Sequence, residues 1–352
     1  MQGFFYYIWR MKILLVYNLG GAGSNFYRLE MPHHHLGENY EVELFSCANT
    51  DGIDFTKYDF VIFSRGIDYN GKTKEIAAEI KKHTKLVLDL DDYWQLGAGH
   101  ILQKEWKQNK TTDLIREAVE VADHVICTTK YLAKSVKGIN RNVHVIPNAV
   151  FPEVYKQFQY VKPEASYDLR LGWIGGSCHV EDIELLYWFA QDLYNQSLPV
   201  HFKFVHDGNE DGVYEYYKRI ITNDYKNEKY TALPTTDVYS YGLHYNSFDV
   251  ALAPLRNTEF NTKKSELKVI EAGFHKKGLI VSDVKPYTDI CNAKNSIVVK
   301  YSEDWVKGVK RLIESPALLE DLSEQLYLDV QKFHIAEVNK KRWEVYEAIA
   351  QK

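Results

Sequence analysis

At 352 residues the chain is long enough for two cores of ordinary size, and 45% apolar with 26% charged residues of mixed sign excludes a disordered polypeptide. A net charge of -5 without a basic stripe, and 26 tyrosines and 7 tryptophans scattered through core-like segments, exclude nucleic acid as an expected partner. Cys47, Cys127, Cys178 and Cys291 show no CxxC spacing, which excludes a zinc knuckle or disulfide framework and fits a reducing, cytoplasmic compartment. Residues 1–10, MQGFFYYIWR, are too short for a span and carry no small-residue cleavage site. They read as an N-terminal extension whose aromatic tip offers a peripheral membrane contact.

From residue 11 the pattern alternates. KILLVY (12–17), YEVELFS (40–46), DFVIFS (59–64), KLVLDL (85–90), DHVIC (123–127) and NVHVI (142–146) are nearly continuous apolar runs, as buried parallel strands require. Helical patterns near 24–36, 73–83 and 112–121 lie between them. Prolines in IPNAVFPEVY (146–155) and an aperiodic stretch at 155–168 mark a linker, giving a first domain at 11–158. The pattern restarts with LRLGWI (169–174), HFKFV (201–205), FDVALA (248–253), GLIVS (278–282) and SIVV (296–299). Helices are expected at 181–196, 212–223, 263–275, 302–313 and 316–332, closing a second domain at 159–334. A last helix at 335–350 is long enough to cross back onto the first domain, so 335–352 is assigned there. The fold class is α/β, with two facing Rossmann-like domains, parallel sheets and strand carboxyl ends around one cleft.

Four segments carry the candidate chemistry. In NLGGAGSNFYRL (18–29), Gly21 and Gly23 let backbone approach a ligand, Ser24 caps the helix, and Arg28 is positioned to reach the cleft, as is Arg65 past the third strand. GGAG is not the dinucleotide fingerprint, so NAD is not expected. In LGWIGGSCHVEDIELL (171–186), Gly175 and Gly176 close a strand, and Ser177, His179 and Asp182 precede or open a helix where a phosphate is accommodated.

The third segment is 248–283, FDVALAPLRNTEFNTKKSELKVIEAGFHKKGLIVSD. A helix from Lys263 places Lys264, Lys268 and Glu271 on one face, and Leu267, Ile270 and Phe274 on a core-facing one. Lysines near a helix start oppose its dipole unless an anion is bound, and a diphosphate supplies one. The fourth, KLVLDLDDYWQL (85–96), runs a strand into Asp89, Asp91 and Asp92, carboxylates of the kind that hold a divalent ion against a diphosphate. His33, His34 and His35 are expected at a helix end rather than around a metal.

Together MKILLVYN at the start, VHVIPNAV before the linker, LGWIGG and the block 248–283 resemble the retaining GT-B glycosyltransferase superfamily of the group 1 type. Its donor region has a helix ending Glu-Ala-x-x-x-Gly-x-Pro-Val-Val. The resemblance implies transfer of a hexose from a nucleotide-diphosphate-sugar to a hydroxyl of a glycan or lipid-linked acceptor in polysaccharide biosynthesis. Retention, no metal and no cofactor beyond the donor as co-substrate are implied too. Two glutamates separated by seven residues usually frame the donor there. Glu271 matches the second, whereas the first falls on Lys263. The superfamily's Arg and Lys phosphate contacts are missing from GGSCHVEDIEL, and Lys264 with Lys263 take their place.

By this resemblance Asp92, Lys264 and Glu271 are catalytic, Asp92 facing the acceptor where the superfamily has His-Asp. Gly175, Gly176, His179, Lys263, Ser265, Leu267 and Lys268 bind the donor. Gly21, Gly23, Ser24, Arg28 and Arg65 line the acceptor side. Two alternatives stand beside it: a metal-dependent GT-A-like transferase using Asp89 and Asp91, and a non-catalytic nucleotide- or carbohydrate-binding protein of the same fold.

Overall fold

A computed structural model describes residues 10–17, 22–46, 52–68, 71–152, 168–206 and 212–351. Gly21, Cys47, residues 1–9 and residues 155–167 of the linker expected at 155–168 lie outside them.

The chain divides into two compact units. One takes the chain up to Gln95, Trp106–Ala149 and the chain from Ile335; the other takes Leu96–Glu105 and Val150–His334. The segment Leu96–Glu105, which the sequence pattern assigns to the first domain, therefore packs with the second unit.

The first unit is built on a parallel sheet in the order β2-β1-β3-β4-β5-β6. Its strands are β1 (Met11–Tyr17), β2 (Tyr40–Ser46), β3 (Phe60–Ser64), β4 (Lys85–Leu90), β5 (His124–Cys127) and β6 (Val143–Val145). Ile13, Leu15, Phe60, Ile62, Val87 and Ile126 are fully buried, as expected of a sheet covered on both faces. A helical stretch at 22–34 follows β1, with its middle, Phe26–Glu30, wound as a π-helix.

The helix Ile335–Ala350 belongs to this unit. Asn339 Nδ2 donates to the carbonyls of Pro32 at 2.9 Å and His35 at 3.1 Å, and Trp343 Nε1 to that of Leu36 at 2.9 Å. The last helix thus bonds carbonyls at and just beyond the end of the 22–34 helix. His33 lies at that end, its ring between the Leu29 carbonyl (2.6 Å) and the Tyr346 hydroxyl (2.8 Å).

The second unit carries a parallel sheet in the order β12-β11-β10-β7-β8-β9. These strands are β7 (Leu169–Trp173), β8 (Val200–His206), β9 (Tyr230–Pro234), β10 (Val250–Ala253), β11 (Gly278–Ser282) and β12 (Ile297–Val299). Trp173, Phe189, Phe202, Phe204, Tyr217 and Trp305 give its core an aromatic centre. Gly172 is required under Phe248, whose ring fills the space of a Cβ. In the helix Ser302–Glu314 the buried residues Trp305, Val306, Val309 and Leu312 recur at helical spacing, and Ser315 caps the next helix, Pro316–Val330. Among the described residues no helix is long and apolar enough to cross a membrane.

Candidate functional site

The sheet of the second unit brings the end of β7, the loop after β10 and the helix Leu267–Phe274 together. After Trp173 the chain turns through Gly175 and Gly176. A Cβ on Gly175 would meet Trp173 Cη2 at 2.8 Å and Lys268 Nζ at 2.9 Å, so the close approach of Lys268 depends on glycine there. The hydroxyl of Tyr217 donates to the Ser177 carbonyl at 2.9 Å and fixes the turn.

His179 and Asp182 follow, with His179 Nδ1 2.7 Å from Asp182 Oδ2. Asp182 Oδ1 accepts from the backbone N–H of Arg256 at 2.7 Å and from Asn261 Nδ2 at 3.0 Å, locking the β7 turn to the loop after β10. Burial, with the charges of Lys264 and Lys268, pushes His179 down to about 4, so the imidazole is neutral at physiological pH. Burial opposes ionisation of Asp182, yet the His179 hydrogen bond and the Lys264 charge outweigh it and hold the carboxyl below its ordinary value. The helix here is one turn, Val180–Ile183, continued by 3-10 backbone at Glu184–Leu186. The helix expected at 181–196 is present in two pieces, resuming as Tyr187–Asn195, so only a single α-helical turn stands at the glycine turn.

The loop after β10 ends in a 3-10 turn, Asn261–Lys263, and Lys264 is extended at φ -61° and ψ 166°. The helix begins at Leu267, not Lys263, so Lys264 does not share its face with Lys268 and Glu271. Lys264 lies instead 5.1 Å from the centroid of the Phe260 ring. Ser265 and Leu267, partly buried, span the step into the helix. Lys263 is drawn to Glu259 at 2.6 Å. Phe274, expected in the core, is partly buried with its ring tilted against His334, while Val269, Ile270 and Ala272 are buried.

Lys268 donates to the Ile174 carbonyl, and burial followed by the charge of Lys264 pushes its ammonium down to about 8. It therefore does not form a surface pair with Glu271, a residue only 6% exposed whose carboxylate accepts from the Tyr245 hydroxyl at 3.0 Å. Neither Lys264 nor Lys268 has a carboxylate within ion-pair distance among the described residues. Lys268 thus stands at the Gly175 turn, and the charge of Lys264 is felt by both His179 and Lys268. Lys264 also lines an adjoining small recess with Gly97 and His100 from Leu96–Glu105 and with Cys178, Glu181, Asp182, Phe260 and Asn261. His100 carries no periodicity or motif in the sequence; the glycines at 97 and 99 are the one local sign of an irregular segment there.

In the first unit, the expectation for Arg28 is corrected. It is 1% exposed, its Nε and Nη2 pair with Asp89 at 2.7 and 3.0 Å, and its Nη1 donates to the Ile146 carbonyl and Asn148. A charged residue inside an apolar strand needs such a partner, so Asp89 itself was the sequence signal for this buried pair. Arg65 turns the chain after β3 at φ 61°, with its guanidinium 3.0 Å from both Asp91 Oδ2 and Asp92 Oδ2. The structure thus unites Arg65 and Asp92, while Asp89 and Asp91 serve different arginines. Among the described residues no three His, Cys, Asp or Glu side chains converge as metal ligands. Gly23, exposed, and Ser24, partly buried, open the 22–34 helix.

No protein-family profile matches the sequence, and no curated protein does. Solved structures do. Sucrose-phosphate synthase from Thermosynechococcus elongatus superposes with a TM-score of 0.70 at 14% identity, covering 97% of this chain and 99% of the other. The Anabaena protein HepE, solved with UDP and glucose, gives 0.68 at 14% identity over 96% and 100%. A glycosyltransferase from Rickettsia africae gives 0.66 at 13% identity over 97% and 98%. With two parallel six-stranded sheets and a last helix that belongs to the first unit, the chain has the GT-B fold, which sets aside the GT-A-like architecture.

Proposed function

We propose that this protein is a glycosyltransferase that binds a nucleotide-diphosphate-sugar in the recess of the second unit and passes the sugar to an acceptor hydroxyl. One observation carries this reading. Lys268 crowds the Gly175 turn, neither it nor Lys264 has a carboxylate at ion-pair distance among the described residues, and Lys264 helps depress the Lys268 ammonium. A diphosphate supplies the missing negative charge, and as the leaving group it gains most from it. In the transfer the bond from the anomeric carbon to a phosphate oxygen breaks, a bond to the acceptor oxygen forms, and the acceptor's proton ends on the released diphosphate. Glu271, held by Tyr245, is suited to accept from ribose hydroxyls. Asp92, set by Arg65, is assigned to the acceptor.

The GT-B fold, and neighbours solved with UDP or UDP-glucose, support a nucleotide-sugar co-substrate. Retention, metal independence, a glycan or lipid-linked acceptor and a cytoplasmic setting with peripheral membrane contact complete the proposal. Free Cys127, Cys178 and Cys291 favour the reducing setting.

Thermal-shift measurements with UDP-, GDP-, ADP- and CMP-sugars test binding, since a bound donor raises the melting temperature. Turnover is then followed as donor hydrolysis or transfer, with and without EDTA. Loss of turnover in folded Glu271→Ala is the expected result. Binding without hydrolysis or transfer would favour a non-catalytic binding protein, and loss of turnover in EDTA would overturn metal independence.

A further inference from the structure

The segment Leu96–Glu105 brings a side chain to the recess that the donor reading does not use. His100 Nδ1 accepts from the backbone N–H of Leu102 at 3.2 Å, which leaves the proton of the neutral ring on Nε2. Burial and the nearby charge of Lys264 lower His100 below the ordinary histidine value, so the neutral ring is the resting form. Nε2–H makes no hydrogen bond among the described residues. Its ring edge rests on Phe260, with centroids 5.5 Å apart.

Glu181 stands beside the same segment. A Cβ on Gly99 would overlap its carboxylate, and that carboxylate has no hydrogen bond or ion pair among the described residues. The recess therefore has two unlike walls. Lys264, with Lys268 near it, suits phosphate oxygens. An uncharged N–H donor beside a carboxylate acceptor suits hydroxyl groups, each of which both donates and accepts, while a phosphate would be repelled by Glu181.

We propose that His100 and Glu181 form the subsite that reads hydroxyls of the transferred sugar, with His100 as donor and Glu181 as acceptor. The proposal rests on the donor-binding reading of the recess and adds two specificity-determining residues to it. Phe260 supplies an apolar surface at the same place for a sugar's C–H face.

The test is calorimetric titration of the full chain with UDP-, GDP- and ADP-glucose and the matching free diphosphates, carrying forward the pair that binds best. His100→Ala and Glu181→Gln are expected to weaken the nucleotide sugar about tenfold and to leave the free diphosphate within about twofold. His100→Gln, which keeps an N–H at a similar reach, should stay within about threefold of the parent for both. Equal weakening of sugar conjugate and free diphosphate, or no change in either, overturns the subsite while leaving the recess as a diphosphate site. Failure of the parent protein to bind any of the free diphosphates overturns the recess reading, and this proposal with it. If the free diphosphates bind but no glucose conjugate does, the subsite alone is overturned.

Discussion

The ammonium of Lys268 lies 5.2 Å from the ring centroid of Trp173 and donates to the Ile174 carbonyl, so a cation is held by an aromatic face and a backbone oxygen, with no carboxylate at ion-pair distance among the described residues. Such an arrangement costs stability unless an anion is bound. With its pKa lowered from 10.5 to about 8, the protonated form is disfavoured by folding. Stability from this group is therefore absent below about pH 8, and grows as pH rises from there towards 10.5. Lys268→Met is expected to be more stable than the parent at pH 7, by on the order of 1–3 kcal/mol. That range takes about 1.4 kcal/mol for each tenfold fall in proton affinity and subtracts the lost contacts. The gap should narrow by about pH 10 in urea unfolding. The same variant should lose the thermal shift produced by a nucleotide sugar. A Lys268→Met protein less stable than the parent at pH 7, with binding intact, would contradict both expectations.

The Arg28–Asp89 pair behaves oppositely. Both side chains are about 1% exposed, so removing either leaves a buried charge without its partner. Arg28→Met or Asp89→Asn should each cost about 3–5 kcal/mol in denaturant unfolding. The double variant Arg28→Met with Asp89→Leu should cost markedly less than the sum of the two, because no charge is stranded. Additive losses would show that the two residues are not coupled.

Tyr245 links the loop before β10 to Glu271 and stacks on His275 with ring centroids 4.6 Å apart. Tyr245→Phe keeps the stack and removes one donor from a buried carboxylate. A stability loss of about 1–2 kcal/mol is expected, with donor binding weakened roughly three- to tenfold. Both are readable from one thermal-shift titration, and unchanged donor affinity would separate Glu271 from the donor.

The strands were legible because each is an almost unbroken apolar run. β4 and β11 fall on KLVLDL and GLIVS residue for residue, and the final helix on 335–350. β9, in YTALP, was missed because an edge strand with mixed exposure and a terminal proline shows neither alternation nor a continuous run. The start of the helix at Leu267 was misplaced because Lys263–Glu266 has good helix propensity, while the preceding loop is fixed by the distant bonds of Asn261 to Asp182. His100 could not be placed at all. Its position follows from a ten-residue segment, Leu96–Glu105, packing with the second unit, and no local pattern encodes that.

On the proposed reading, Arg65 separates stability from acceptor use. Its φ of 61° is a left-handed conformation that glycine adopts more readily, while its guanidinium spans Asp91 and Asp92 from a partly exposed position. Arg65→Gly relieves the backbone and gives up ion pairs that solvent screening keeps weak, so stability should change by less than about 1 kcal/mol. Asp92, however, loses the group that orients it. On the proposed reading, donor hydrolysis and donor affinity stay near the parent values, while the KM for acceptor rises roughly tenfold. Steady-state kinetics with acceptor varied at saturating donor measures this split. An equal loss in donor hydrolysis and transfer would instead place Arg65 and Asp92 on the donor's side of the reaction.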